Sequence, residues 1–104
     1  MAELSLTMAL AHYDQHVPFL DGAVTVDGVA LTVLDVGQGP HYGRHGTDRH
    51  ERMLQNGEFD LAEVSFSSYL MATDRGAPFT AIPVFPRRLF SQSQIYTNRA
   101  AGIR

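Results

Sequence analysis

Three short stretches concentrate the side chains capable of chemistry. In "HYDQH", residues 12 to 16, His12, Tyr13, Asp14 and His16 crowd one loop. Histidine titrates near neutrality, so His12 suits proton exchange with a phenol or a ring carbon. A loop histidine is also commonly a solvated or structural group. In "EVSFSS", residues 63 to 68, Glu63 and Ser65 are two apart on a predicted strand and so share a face. A carboxylate buried there is suited to proton transfer, whereas one at an open strand end is merely solvated. The hydroxyls of Ser65, Ser67 and Ser68, with the first N–H groups of a new helix, can face an anion. Ser67 is the plausible N-cap in either case. Arg87 and Arg88 follow "IPVFP", and a guanidinium fork there matches a carboxylate, or else stands in water.

A weaker signal comes from His41, His45 and His50, spaced by four and five residues. Imidazoles bind zinc and other divalent ions. Two of these lie in a glycine-rich loop that does not hold them in register, so solvated histidines are the default. No cofactor is called for by any motif.

The elements that must carry these groups are legible from periodicity. Leu4, Leu6, Met8 and Leu10 alternate with smaller or polar residues, which reads as a strand. "HYDQHVPFLDG" is a polar loop or short helix, "VTVDG" a short extended run with a turn, and "VALTVLDV" a second strand. After the loop "GQGPHYGRHG", Thr47 or Asp48 can cap a helix to about Asn56, closed by Gly57. Met53 and Leu54 point inward, with the ring of His50. Residues 59 to 64 read as a buried strand, 69 to 75 as a helix stopped by Gly76, and "FTAIPVF" and "SQIYTN" as further strands. Met53, Leu54, Phe59, Leu61, Tyr69 and Leu70 are expected in the core. Alternating strands and helices argue for an α/β sheet with parallel pairs.

Composition narrows the chemistry. Net charge is −3 and no basic stripe is present, which disfavours nucleic acid as a partner. All eight basic residues are arginines, so no lysine is available for a Schiff base. There is no cysteine, hence no disulfide, thiolate nucleophile or thiolate-bound zinc. "MAELSLTMALAHYD" lacks the pattern of a signal peptide, and no apolar run approaches the ~18 residues of a membrane helix. A cytoplasmic address is expected.

Over "LTMALAHYDQHVPFLDG", "VDGVALTVLDV", "RMLQNGEFDLAEVSFSSYLMATDRG", "FTAIPVFPRRLF" and "IYTNRAAGI", the chain resembles the 4,5-dihydroxyphthalate decarboxylase family. "EFDLAEVSFSSYLMA" followed by "AIPVFPRR" is the specific part. Arg88 matches an arginine of the family, while Ser91-Gln92-Ser93 stands where a basic residue and a histidine are common. The resemblance implies a three-layer mixed sheet of the type II periplasmic-binding-protein kind, two lobes, and a cleft between them. On that reading residues 1–104 are part of an N-terminal lobe with the second lobe absent. Exposed strand edges would then call for self-association or for that lobe. The implied activity is non-oxidative decarboxylation of a dihydroxylated aromatic acid. His12 or Glu63 would move the proton, Asp14 would orient His12, and Arg88 with Ser65, Ser67 and Ser68 would hold a carboxylate. A solute-binding protein without chemistry, or an inactive fragment, are the alternatives.

Overall fold

The computed structural model describes residues 3–37, 49–87 and 96–102. The first strand, β1 (Leu4–Leu10), is exposed at its start and buried at Ala9 and Leu10. The gradient follows from its place at the centre of the sheet. On one side it pairs in parallel with β2 (Val29–Asp35), in register from Leu4 opposite Val29 to Leu10 opposite Asp35. On the other side it pairs in parallel with β3 (Leu61–Ala62), Met8 opposite Leu61. The sheet order is therefore β2-β1-β3.

Parallel neighbours require crossovers, and helices supply them. Between β1 and β2 the chain makes a 3-10 turn (Asp14–His16) and a short helix, α1 (Val17–Leu20), with Pro18 in its first turn. Pro fits there because the N–H it lacks has no partner inside the helix. Helix α2 (Arg49–Leu54) leads toward β3. Its end is closed by Gly57 at φ 60°, with Gly57 N–H bonded to Met53 O (2.9 Å) and Glu58 N–H to Arg52 O (3.1 Å). The Gly57 to Met53 bond, with Gly57 left-handed, is an αL closure, so the expected role of Gly57 is borne out. After β3 comes α3 (Phe66–Asp74), stopped before Gly76.

Phe59 is buried beneath the guanidinium of Arg52, which stacks 4.9 Å from the ring centroid. Met53, Leu54, Leu61 and Tyr69 are half-buried, and His50 is buried as expected. Leu70, expected in the core, is 50% exposed, in company with Phe66 and Met71 on the same helix. With Leu4, Ile82, Val84 and Phe85 exposed as well, the described residues leave much apolar surface uncovered.

Two other expectations are corrected. The strand expected over 59–64 shrinks to Leu61–Ala62, so Glu63 and Ser65 lie beyond it rather than on one strand face. Residues 77–87, read as containing a strand, form no strand. Pro78, Pro83 and Pro86 each remove a backbone donor, and tight turns at Phe79 N–H to Ala77 O and Val84 N–H to Ile82 O replace extended pairing. The last expected strand falls partly outside the described residues, and 96–98 are irregular. There Asn98 caps a 3-10 turn, Arg99–Ala101, its side chain accepting from Ala100 N–H at 3.0 Å. Among the described residues no helix is long and apolar enough to cross a membrane.

Candidate functional site

The chain leaves β1 for β2 on one side and then crosses to β3 on the other. The carboxyl end of β1 is therefore a switch point, where open parallel sheets place their ligands. Three segments meet there: Ala11–His16 after β1, Asp35–Gly37 at the end of β2, and Glu63–Ser68 between β3 and α3.

His12 is the first charged or titratable side chain beyond β1. Its Nδ1 lies 3.1 Å from Oδ2 of Asp35, the last residue of β2, with both side chains about half exposed. The carboxylate paired with His12 is thus Asp35, where Asp14 had been expected. Asp14 is exposed in the following turn. An Asp35 carboxylate accepting from Nδ1–H leaves Nε2 as the free nitrogen, the arrangement that readies an imidazole for proton transfer. His16 is a different case. It is buried, and its Nδ1 donates to the carbonyl of Ala11 at 2.8 Å, which ties the turn to the strand end.

Beneath this surface lies a buried ion pair. Arg49, in the first turn of α2, is 2% exposed and Glu63 9%, with Nη2 and Oε2 3.6 Å apart. The same guanidinium donates from Nε to the carbonyl of Glu63 and from Nη1 to that of Val36. One side chain thereby joins the carboxyl ends of β2 and β3. The Glu63 carboxylate also accepts from Ala11 N–H at 3.4 Å. Tyr13 completes the cluster. Its phenol is held above the ordinary tyrosine range, first by burial and then by the negative charge of Glu63, to which it donates; Arg87 and Arg49 oppose the shift.

The serines divide their work differently from the sequence reading. Ser65, not Ser67, is the N-cap of α3: its backbone is extended and its Oγ accepts from Ser68 N–H at 3.2 Å. The helix begins at Phe66, so Ser67 already lies in the first turn. Ser65 Oγ also bonds to Ser68 Oγ at 2.6 Å and approaches Ser67 Oγ at 3.4 Å. All three hydroxyls form one polar edge at the start of α3.

From the other side, the segment before Arg87 is drawn toward the site. Gln15 Nε2 donates to the carbonyl of Pro86 at 2.7 Å, and Tyr69 Oη accepts from Ala81 N–H at 3.4 Å. Arg88, His41 and His45 lie outside the described residues. Among the described residues no group of three His, Cys, Asp or Glu side chains is placed to hold a metal ion. A groove of about 560 Å³ runs between α2 and α3, lined by His50, Leu54, Ser68, Met71 and Arg75 among others. It touches the site only through Ser68.

His12, Glu63 and the serines, expected from the sequence, lie at this edge, and the sequence reading did not place Arg49, Asp35 and Tyr13 in one constellation with them. Asp35 had a usable signal, since the last residue of a parallel strand lies at the ligand edge of the sheet. Arg49 had none, because an arginine in a helix's first turn ordinarily faces water.

No family model matches the chain. Two curated relatives do. The chain is 35% identical over 104 residues to a 4,5-dihydroxyphthalate decarboxylase of Comamonas testosteroni, covering 99% of this chain and 29% of that protein. It is 34% identical over 104 residues to a protein of the same description from Pseudomonas putida, covering 99% of this chain and 37% of that one. The chain therefore spans about a third of the length of the curated relatives it matches, and the resemblance read from its motifs is borne out.

Proposed function

We propose, from the kinship of this chain with the 4,5-dihydroxyphthalate decarboxylases, that the protein removes CO2 from a dihydroxylated aromatic dicarboxylate. The single observation that carries this reading is similarity along 99% of the chain, through the segments that form the candidate site. The same kinship is our ground for reading the parallel α/β unit as part of a two-lobed type II periplasmic-binding-protein fold.

The chemistry asked of the site is specific. Direct loss of CO2 from an aryl carboxylate would leave a carbanion in the ring plane. A hydroxyl para to the departing carboxylate offers another route. As that phenol gives up its proton, electron density rises at the ring carbon, which takes a proton and becomes tetrahedral in a dienone. The bond to the carboxylate then breaks, its electron pair restores the aromatic ring and the phenol recovers a proton. For 4,5-dihydroxyphthalate the products are CO2 and 3,4-dihydroxybenzoate. The phenol is the electron sink, so the scheme calls on no organic cofactor.

In this scheme His12 moves the proton and Asp35 fixes its tautomer, an arrangement that contributes on the order of 10²–10⁴-fold in enzymes that use it. Glu63, spoken for by Arg49, Ala11 and Tyr13, holds the phenol of Tyr13 at the site. Ser67 and Ser68 are the hydroxyls offered to a substrate oxygen, with Ser65 occupied in capping. The test is CO2 release from 4,5-dihydroxyphthalate by the protein as expressed from its gene. Binding without CO2 release would replace this reading with that of a carboxylate-binding protein.

A further inference from the structure

The arginines described in the structure have unequal duties. Arg49 is spent on Glu63 and two backbone carbonyls. Arg52 is bonded through Nε to both oxygens of Glu58 and stacked on Phe59. Arg75 lines the groove between α2 and α3, and Arg99 belongs to the separate 3-10 turn. Like Arg75 and Arg99, Arg87 is exposed and has no carboxylate partner among the described residues. It differs from them in that the residue before it is tethered to the loop after β1. The tether is the 2.7 Å bond from Gln15 Nε2 to Pro86 O, two residues along from Tyr13.

Two of the acids at the site are already engaged: Asp35 faces His12 and Glu63 faces Arg49, and neither engages the guanidinium of Arg87. Its influence reaches Tyr13, where it opposes the effect of Glu63. A planar, permanently charged fork with no carboxylate partner among the described residues suits an oxyanion that can take two parallel hydrogen bonds.

We propose that Arg87 binds a carboxylate of the substrate, and that the Gln15 to Pro86 hydrogen bond positions it to do so. The claim rests on the reading of the substrate as an aromatic dicarboxylate and goes beyond it by naming the cation that recognises the acid. Of two adjacent carboxylates, the one retained in the product is the natural partner. An arginine held against the departing group would stabilise the charge that must be lost.

The test is calorimetric titration of the protein as expressed from its gene, wild type and Arg87→Gln, with 4,5-dihydroxyphthalate, phthalate and catechol. Arg87 is exposed, so the substitution leaves the fold intact, and far-ultraviolet circular dichroism checks this. The expected result is a loss of about tenfold or more in affinity for both carboxylates, the scale of a lost charge-assisted hydrogen bond, with catechol unaffected. Arg87→Lys recovers part of the loss. Gln15→Ala, which frees the segment, weakens carboxylate binding less than Arg87→Gln and again leaves catechol unchanged. Unaltered carboxylate affinity in Arg87→Gln would overturn the proposal, as would wild-type protein that binds neither acid. Arg87-dependent binding without CO2 release would leave the proposal standing and remove the decarboxylase reading instead.

Discussion

Arg49 and Glu63 form a buried ion pair, 3.6 Å from Nη2 to Oε2, that joins the carboxyl ends of the two strands flanking β1. The pair sits directly below the candidate site, so its integrity sets where Tyr13, Ser65 and the end of β2 stand relative to one another.

Breaking the pair from one side leaves an uncompensated buried charge, which typically costs about 3–5 kcal/mol. Arg49→Met is therefore expected to lower unfolding free energy by that order in urea denaturation. Glu63→Gln keeps the shape and the backbone acceptor, and is expected to cost less. Equal stability of wild type and Arg49→Met would show that the guanidinium does not hold the strand ends together.

The register of α3 is tested by two serines. Ser65→Ala removes the cap and is expected to destabilise by about 1 kcal/mol, while Ser67→Ala stays within about 0.5 kcal/mol of wild type. Thermal melts of both variants decide it. The reverse order would restore Ser67 as the cap.

Much of this arrangement was legible beforehand, and the failures have physical causes. The first two strands, the switch from β to α around Ser65 to Phe66 within two or three residues, and the Gly57 closure follow from alternation and backbone-conformation rules that act locally. The cap was misplaced because Ser65 and Ser67 have identical capping chemistry, and only the observed extended backbone at Ser65 separates them. The strand expected in "FTAIPVF" is absent because Pro83 within it and Pro78 and Pro86 beside it remove backbone donors, which outweighs the β propensity of Thr80, Ile82 and Val84. Arg49 with Glu63, and His12 with Asp35, are contacts across 14 and 23 residues created by strand order, which no local pattern encodes.

Asp60 links β3's approach to β1: its Oδ2 accepts from Thr7 N–H at 2.7 Å and from Thr7 Oγ1 at 2.9 Å. These bonds, the backbone one first, hold its carboxyl below the ordinary value of 3.8. The folded state therefore binds fewer protons than the unfolded state in this range. The contribution to stability is present above the unfolded value and lost as pH falls through the lower folded one. Asp60→Asn is expected to flatten the acid limb of stability measured below pH ~4 by chemical denaturation. An unchanged limb would mean that Thr7 does not distinguish the ionised form.

Tyr13 carries the opposite sign. Its phenol is raised above 10.0, so its contribution is present below that pH and is lost as pH climbs through the higher folded value. Ultraviolet titration should find a phenol ionising above pH 10.0 in wild type, a late component lost in Tyr13→Phe. Glu63→Gln should lower the pH of that component, because it removes the neighbouring negative charge.

In the proposed reaction the imidazole of His12 is the group that moves the proton. His12→Gln is expected to lower kcat by about 10² or more with a small change in KM, the pattern of a group that moves a proton in the transition state. Asp35→Asn should lower kcat less and alter the pH profile, since it changes the tautomer without removing the ring. A loss confined to KM in both variants would assign this pair to binding alone.

The most direct measurement is the reaction itself, followed in D2O with 4,5-dihydroxyphthalate and the protein as expressed from its gene. The expected result is one CO2 and one 3,4-dihydroxybenzoate per substrate, with deuterium at the ring carbon that lost its carboxylate, and a rate that collapses in His12→Gln. Substrate recovered intact, with no CO2 from wild-type protein that binds it, would contradict the decarboxylase assignment.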